Sequence, residues 1–256
     1  MTLRLKYEEY RATENGIPTD MKQKIILLVC AATFAASPAW ATLVTWELNP
    51  SNLNQNVGSS SRSYTITGLV GLPAGQTQAT ITARGFDNVS GTVTPHDLFY
   101  KSTGPIGGAS EHGLGVVGTS DNELQINPDG SPAQFIQLDL RSILGQGFTG
   151  GEVQVGSVQS GESFKLFGSN TQGTLGTQLG STFGSSFDEK FVAIPSFGTF
   201  QFISIAAGTV DVLPIAFRAN FTPVPEMNAF LPTLGLITAI SSTTILRRRR
   251  ASRIES

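Results

Sequence analysis

The chain has 256 residues, with 17 Lys and Arg against 19 Asp and Glu and a net charge of −2. Charged residues make up only 14% of it and hydrophobic residues 39%. That balance excludes a charge-rich disordered chain and a basic nucleic-acid-binding protein, and a single cysteine excludes a disulfide scaffold.

Residues 1–20 are polar and charged, with no hydrophobic period. From Met21 the pattern changes to Lys22 and Lys24, an apolar run from Ile25 to Ala36, and Ala39-Trp40-Ala41 before Thr42. A basic start, a short apolar run and a small-x-small site are the parts of a secretory signal peptide over 21–41. Signal peptidase would read Ala39 and Ala41 and leave Thr42 as the first mature residue. The apolar run is too short for a stable membrane span. Translation is therefore expected to start at Met21, with 1–20 a misassigned upstream start. Cys30 lies inside the apolar run, after Val29 instead of the small residue a lipoprotein signal needs. It leaves with the signal peptide, so the mature chain is expected to have no thiol nucleophile, thiolate metal site or disulfide.

Residues 42–222 form the passenger, a length suited to one domain. It carries seven Lys or Arg against thirteen Asp or Glu, and no basic cluster that would attract nucleic acid. Short apolar stretches recur: Leu43 to Leu48, Ser63 to Leu69, Ala79 to Phe86, Asp97 to Lys101, Leu114 to Val117 and Glu123 to Ile126. In Phe135 to Leu140, Ile136, Leu138 and Leu140 alternate with Gln137 and Asp139. Val153 and Val155 flank Gln154, Phe164 and Leu166 flank Lys165, and Ile215, Phe217, Ala219 and Phe221 alternate with polar or small residues. Period two with β-branched and aromatic residues predicts half-buried strands. Phe200 and Phe202 are out of phase with Ile203 and Ile205, which calls for a bulge or a strand covered on both faces. Turns are predicted at Asn127-Pro128-Asp129-Gly130, Gly150-Gly151, Ser160-Gly161 and Gly168-Ser169-Asn170, and a long surface loop at Gly173 to Ser186. Many short strands and no sustained helical period predict an all-β fold, an antiparallel, jelly-roll-like β-sandwich.

Catalytic motifs are missing. There is no Gly-x-Ser-x-Gly, no His-Glu-x-x-His and no phosphate-cradling Gly-x-x-x-x-Gly-Lys. His96 and His112 are the only histidines; His112 beside Glu111 is read as a loop histidine at a strand start. Asp121, Glu123 and Asp129, with Asn127, form a short acidic stretch of hard oxygen donors. They are a weak candidate for structural Ca²⁺, although the spacing is not that of an EF-hand and a solvated turn accounts for them. Thirteen acidic residues could supply the carboxylate pair of a glycosidase, without the sequence saying which. Trp46, Tyr64, Phe86, Phe99 and Tyr100 could stack on sugars if exposed; burial is the default for such rings.

The tail 223–256 has three parts: Val224-Pro225-Glu226 behind Pro223, a mostly apolar run over 227–246, and Arg247-Arg248-Arg249-Arg250 opening a cluster over 247–253. Proline makes the first part stiff and extended. Twenty residues at about 1.5 Å each span roughly 30 Å as a helix, the thickness of a hydrocarbon core. The arginines hold the end on the cytoplasmic side. This plan resembles the PEP-CTERM sorting signal of Gram-negative bacteria. Met227 departs from the second proline of its commonest version. The resemblance implies recognition of Val224, Pro225 and Glu226 by an exosortase, a membrane-embedded cysteine transpeptidase that passes the passenger to the cell surface or matrix. A permanent single-span anchor is the rival reading, but Pro232, Gly235 and Ser241-Ser242-Thr243-Thr244 make a poor span. Leu231-Pro232-Thr233-Leu234-Gly235 looks like a Gram-positive sortase signal, with the fourth position wrong and the peptide inside the apolar run.

Within the passenger, Glu111 to Val117 followed by Glu123 to Asn127 and Phe135 to Leu140, and Phe164 to Leu179 followed by Phe200 to Ala207, are similar to strand patterns of PEP-CTERM passengers. Those are mostly uncharacterised β-sandwiches. The expectation is an exported, non-enzymatic protein with a structural or adhesive role at the surface or in exopolysaccharide, anchored transiently in the inner membrane. A carbohydrate-binding module is the alternative, and a secreted hydrolase a more distant one.

Overall fold

Alternation over Thr42–Glu47 puts Val44 and Trp46 on one face, and this first strand, β1, buries both. The computed structural model describes residues 41–73, 75–106, 109–118 and 121–223. The upstream segment 1–20, Ala39, the motif Val224-Pro225-Glu226, the apolar run 227–246 and Arg247 to Arg250 lie outside the described residues. Among the described residues no helix is long and apolar enough to cross a membrane.

After β1 come β2 (Gln55–Asn56), β3 (Ser61–Thr67), β4 (Gln78–Val89), β5 (Thr92–Pro95), β6 (Leu98–Ile106), β7 (Ala109–Val116), β8 (Leu124–Gln125) and β9 (Gln134–Asp139). One short helix, α1 (Arg141–Leu144), leads to β10 (Phe148–Gly156), β11 (Ser163–Ser169), β12 (Thr177–Gly184), β13 (Phe191–Ala193), β14 (Phe202–Thr209) and β15 (Asp211–Phe221). One sheet has the order β1-β15-β10-β13, with β8 added to β15. A second runs β12-β11-β14-β9-β4-β3, with β5 on β4, and β2-β6-β7 make a third. Every pairing is antiparallel. The fold is all-β, and its antiparallel sheets are consistent with a β-sandwich.

One core joins the sheets. Trp46 and Phe217 of the first, Ile81, Ile136 and Ile205 of the second, and Leu98 and Leu114 of the third belong to a single buried cluster. Polar tips on the aromatics tie the layers as well. Trp46 Nε1 donates to the Ala79 carbonyl at 3.2 Å, and Tyr64 Oη donates to the Leu48 carbonyl at 2.7 Å. Pro214 sits inside β15, where it cannot donate, and the register slips beside its partner Val155.

The middle of the second sheet is covered on both faces. Ile136 and Leu138 of β9 face the main core as the alternation predicts. On the opposite face, Phe135, Phe86, Phe167 and Ala206 form a separate small cluster with Leu175 packed against it. Gln137 on that face is fully buried: its Nε2 donates to the Thr174 carbonyl and Ser204 Oγ, and its Oε1 accepts from Gly173 N–H. The connection before β12 therefore folds over the sheet, and Gln137 satisfies its backbone. The phase switch near Phe202 has the same origin. Phe202 lies under the Arg141 guanidinium, 5.0 Å from the ring centre, while Ile203 and Ile205 point into the core. Double coverage, not a bulge among those residues, explains the pattern.

Three sequence expectations need correction. Gly173 to Ser186 is not one long loop, since Thr177–Gly184 is the edge strand β12. Leu179 is its one buried residue, so no alternation marks it. Gly150-Gly151 is not a turn between strands but an irregularity within β10, where the register against β15 shifts between Thr149 and Glu152. Gly150 has φ +60°, and a Cβ on Gly151 would lie 2.3 Å from the Phe197 ring. Gly168 and Ser169 belong to β11, and the turn begins only at Asn170.

Candidate functional site

Lys101 follows the apolar start of β6, Leu98-Phe99-Tyr100, and is only 4% exposed. An ammonium buried so deeply needs anionic partners. Strand β7 supplies one. Thr103 is opposite Glu111 and Lys101 opposite Gly113, so Glu111 is the diagonal neighbour of Lys101 across the hairpin. Lys101 Nζ is 2.5 Å from Glu111 Oε2 and 2.5 Å from Glu123 Oε1. Glu123 Oε1 also accepts from Ser157 Oγ at 3.3 Å. Glu123 is 1% exposed, and its other oxygen, Oε2, is buried with no hydrogen-bond partner.

The segment carrying Glu123 is fastened from two sides. Beneath it, Gly115 of β7 lets the backbone approach: a Cβ there would be 1.7 Å from the Asn122 carbonyl oxygen. Beside it, β8 pairs with the start of β15, Leu124 opposite Val212 and Gln125 opposite Asp211. That pairing brings Asp211 to the acidic segment. Asp121 Oδ1 accepts from the Glu123 N–H and from Gln125 Nε2, each at 3.2 Å. One oxygen from each of Asp121, Glu123 and Asp211 lies within 4.8 Å of the others. Glu162 joins through a hydrogen bond with Asp211 and accepts from Gln159 N–H at 2.5 Å.

The electrostatics follow from burial and crowding. Burial pushes the Glu123 carboxyl up and the Asp211 charge adds to this, against the hydrogen bond and charge of Lys101, leaving it at about 7. Asp211 is also pushed up to about 7, by burial first and then by the charges of Asp121 and Glu162 and its hydrogen bond with Asp121. Burial raises Glu162 too, against the hydrogen bond from Gln159. Burial pulls Lys101 down, but the hydrogen bonds and charges of Glu111 and Glu123 outweigh it and hold Lys101 above its ordinary value. The group thus gathers five carboxyls, Glu111, Asp121, Glu123, Glu162 and Asp211, around a single ammonium. Its hard oxygens suit a hard cation.

Of the residues singled out in the sequence, Asp121 and Glu123 are in this group and Asp129 is not. Asp129 is exposed and caps its own turn, accepting from Ser131 N–H and Oγ at 2.9 and 2.6 Å. Nothing in the sequence pairs Lys101, Glu111 and Asp211 with the acidic stretch. A charge directly after the apolar run Leu98-Phe99-Tyr100 is the one signal that marks Lys101; nothing local marks Asp211. His112 is not at a strand start but within β7, opposite Ser102. His96 Nδ1 is 2.8 Å from Asp87 Oδ2, and neither histidine belongs to the acidic group.

The condition for sugar stacking is not met by four of the five aromatics. Trp46, Tyr64, Phe86 and Tyr100 are buried, and Phe99 is half-buried. Trp46, Tyr64 and Tyr100 do reach the wall of a cleft of about 330 Å³, beside Glu47 and Arg62. With Trp46 only 1% exposed and Tyr100 only 5%, they offer almost no ring surface to a sugar. Comparison with protein-family models, with characterised proteins and with solved structures finds no match to this chain.

Proposed function

We propose that this chain is an exported β-domain with a non-enzymatic structural or adhesive role, sorted through its C-terminal tail. Signal peptidase removes 21–41, and an exosortase-like transpeptidase reads Val224-Pro225-Glu226 while 227–246 sits transiently in the inner membrane. The final location is the cell surface or the extracellular matrix with its exopolysaccharide.

One observation carries the reading. Strand β1 starts at Thr42, β15 stops at Phe221, and these two residues face each other in the register of adjacent strands. Both strand ends lie close to the two expected cuts, and neither cut falls inside a described strand. Pairing of the first strand with the last also suits a jelly-roll-like sandwich. Burial of the acid–base pair Lys101 and Glu123 supports a non-enzymatic role, because a proton donor has to reach its substrate.

The test is the mass of the mature protein after expression from Met21 in a host that has an exosortase. The expected species begins at Thr42 and ends between Val224 and Met227. A mature species that retains Arg250 overturns sorting by cleavage in favour of a permanent anchor.

A further inference from the structure

We infer that Asp121, Glu123 and Asp211 bind one Ca²⁺ ion. The inference is independent of how the tail is processed. It rests on two observations of different kinds.

The first is convergence. Three carboxylates from two separate segments, the stretch leading into β8 and the first residue of β15, bring one oxygen each within 4.8 Å of the others. Oxygens at roughly 2.3–2.6 Å from a shared Ca²⁺ can be up to about 5 Å apart, so the three fit one coordination sphere. The second is the unpartnered oxygen of Glu123. Its Oε1 is taken by Lys101 and Ser157, whereas Oε2 is sealed from water and accepts nothing. A buried carboxylate oxygen left in that state is costly. A cation held together with Asp121 and Asp211 would give the Glu123 carboxylate the further partner it lacks. Lys101 cannot serve both purposes, because its ammonium is already shared between Glu111 and Glu123.

The burial gradient sets the kind of site. Glu123 is at the bottom, while Asp121 and Asp211 are half-buried. An ion would enter past the two aspartates and keep water on its outer side, completing six to eight ligands. A partly hydrated site of three carboxylates belongs with the weaker extracellular Ca²⁺ modules, with Kd of about 10⁻⁴–10⁻³ M. Its effect is structural: it pins the stretch before β8 to the β14–β15 connection, where Val210 has φ 57°.

The experiment uses the full chain from Met21, purified in detergent, stripped with EDTA and dialysed. Calorimetric titration with CaCl₂ should show one ion per chain. At about 5 mM Ca²⁺ the melting temperature should rise by about 2–9 °C in a saturable way. Asp211→Asn should abolish the rise and Asp129→Asn should keep it; Asp121→Asn is the second variant should Asp211→Asn fail to fold. A rise no larger than NaCl of equal ionic strength produces, an equal rise with Mg²⁺, or a rise that survives in Asp211→Asn or Asp121→Asn would each overturn the assignment.

Discussion

Two residues illustrate how a buried charge is carried. Lys101 neutralises part of a pocket it shares with Glu111 and Glu123, all three at 5% exposure or less. Lys101→Met keeps the length of the stem but leaves two buried carboxylates without their ammonium. Removing one partner of a buried ion pair typically costs ~3–5 kcal/mol, and urea unfolding of Lys101→Met should show a loss of that order. Adding Glu123→Gln to it should recover part of the loss; no recovery would mean that Lys101 acts through packing of its stem. Asp139 shows the opposite electrostatic balance. Burial pushes its carboxyl up, but the two side-chain hydrogen bonds from Arg141, at 2.9 and 2.7 Å, a third from the Arg141 backbone N–H at 3.2 Å, and the charges of Arg141 and Arg84 outweigh it and hold it below the usual range. A depressed folded pKa stabilises above the unfolded value near 3.8, and the contribution is lost as pH falls through the folded pKa. The difference in melting temperature between wild type and Asp139→Asn should therefore be constant from pH 7 to 5 and shrink towards pH 3. A difference that stays the same at pH 3 would assign the effect to shape and not to charge.

At the scale of elements, coverage decides which strands a sequence announces. Strand β15 alternates over Phe217 to Phe221, where Phe217, Ala219 and Phe221 are buried and Asn220 is exposed, whereas Val212 to Ala216 ahead of it is buried on both faces. Strands β9 and β14 are buried on both faces, so polar residues there have structural partners instead of solvent. Gln137 is the clearest case, since it pairs with the backbone of Gly173 and Thr174 ahead of the edge strand β12. Gln137→Leu fills the space but strands those groups, with an expected loss of about 1–3 kcal/mol. Amide exchange should then rise selectively over residues 171–184; uniform change across the sheets would count against this docking role. The edge strand itself was missed for a physical reason. It buries only Leu179 and is built of Thr, Gly, Ser and Gln, the same composition that forms loops.

For the whole molecule, the first and last strands are the decisive pair. Thr42 opposite Phe221 brings the start of β1 beside the end of β15. Under the proposed sorting, Arg247 to Arg250 would set the orientation of the tail in the membrane. In the same mass experiment, replacing Arg247 to Arg250 with serine should lower the yield of the cut form without changing the fold. Equal processing would remove charge from the sorting argument. The burial of Trp46, Tyr64, Phe86 and Tyr100 bears on the same scale, because it places these rings in the core that joins the sheets and in the small cluster on the outer face.

Local order was written in the sequence wherever one face of a strand meets water, and so were the turn at Asn127 to Gly130 and the tripartite plan of the tail. Period-two burial and proline chemistry act over a few neighbours, so a linear reading can find them. The strand order, the double coverage of β9 and the edge strand β12 were decided only by the tertiary structure. So was the acidic group. Asp121 and Asp211 are 90 positions apart (211 − 121) and meet only because β8 pairs with the start of β15. The strength of a charge interaction depends on distance in space and on exclusion of water, and neither is a property of sequence separation.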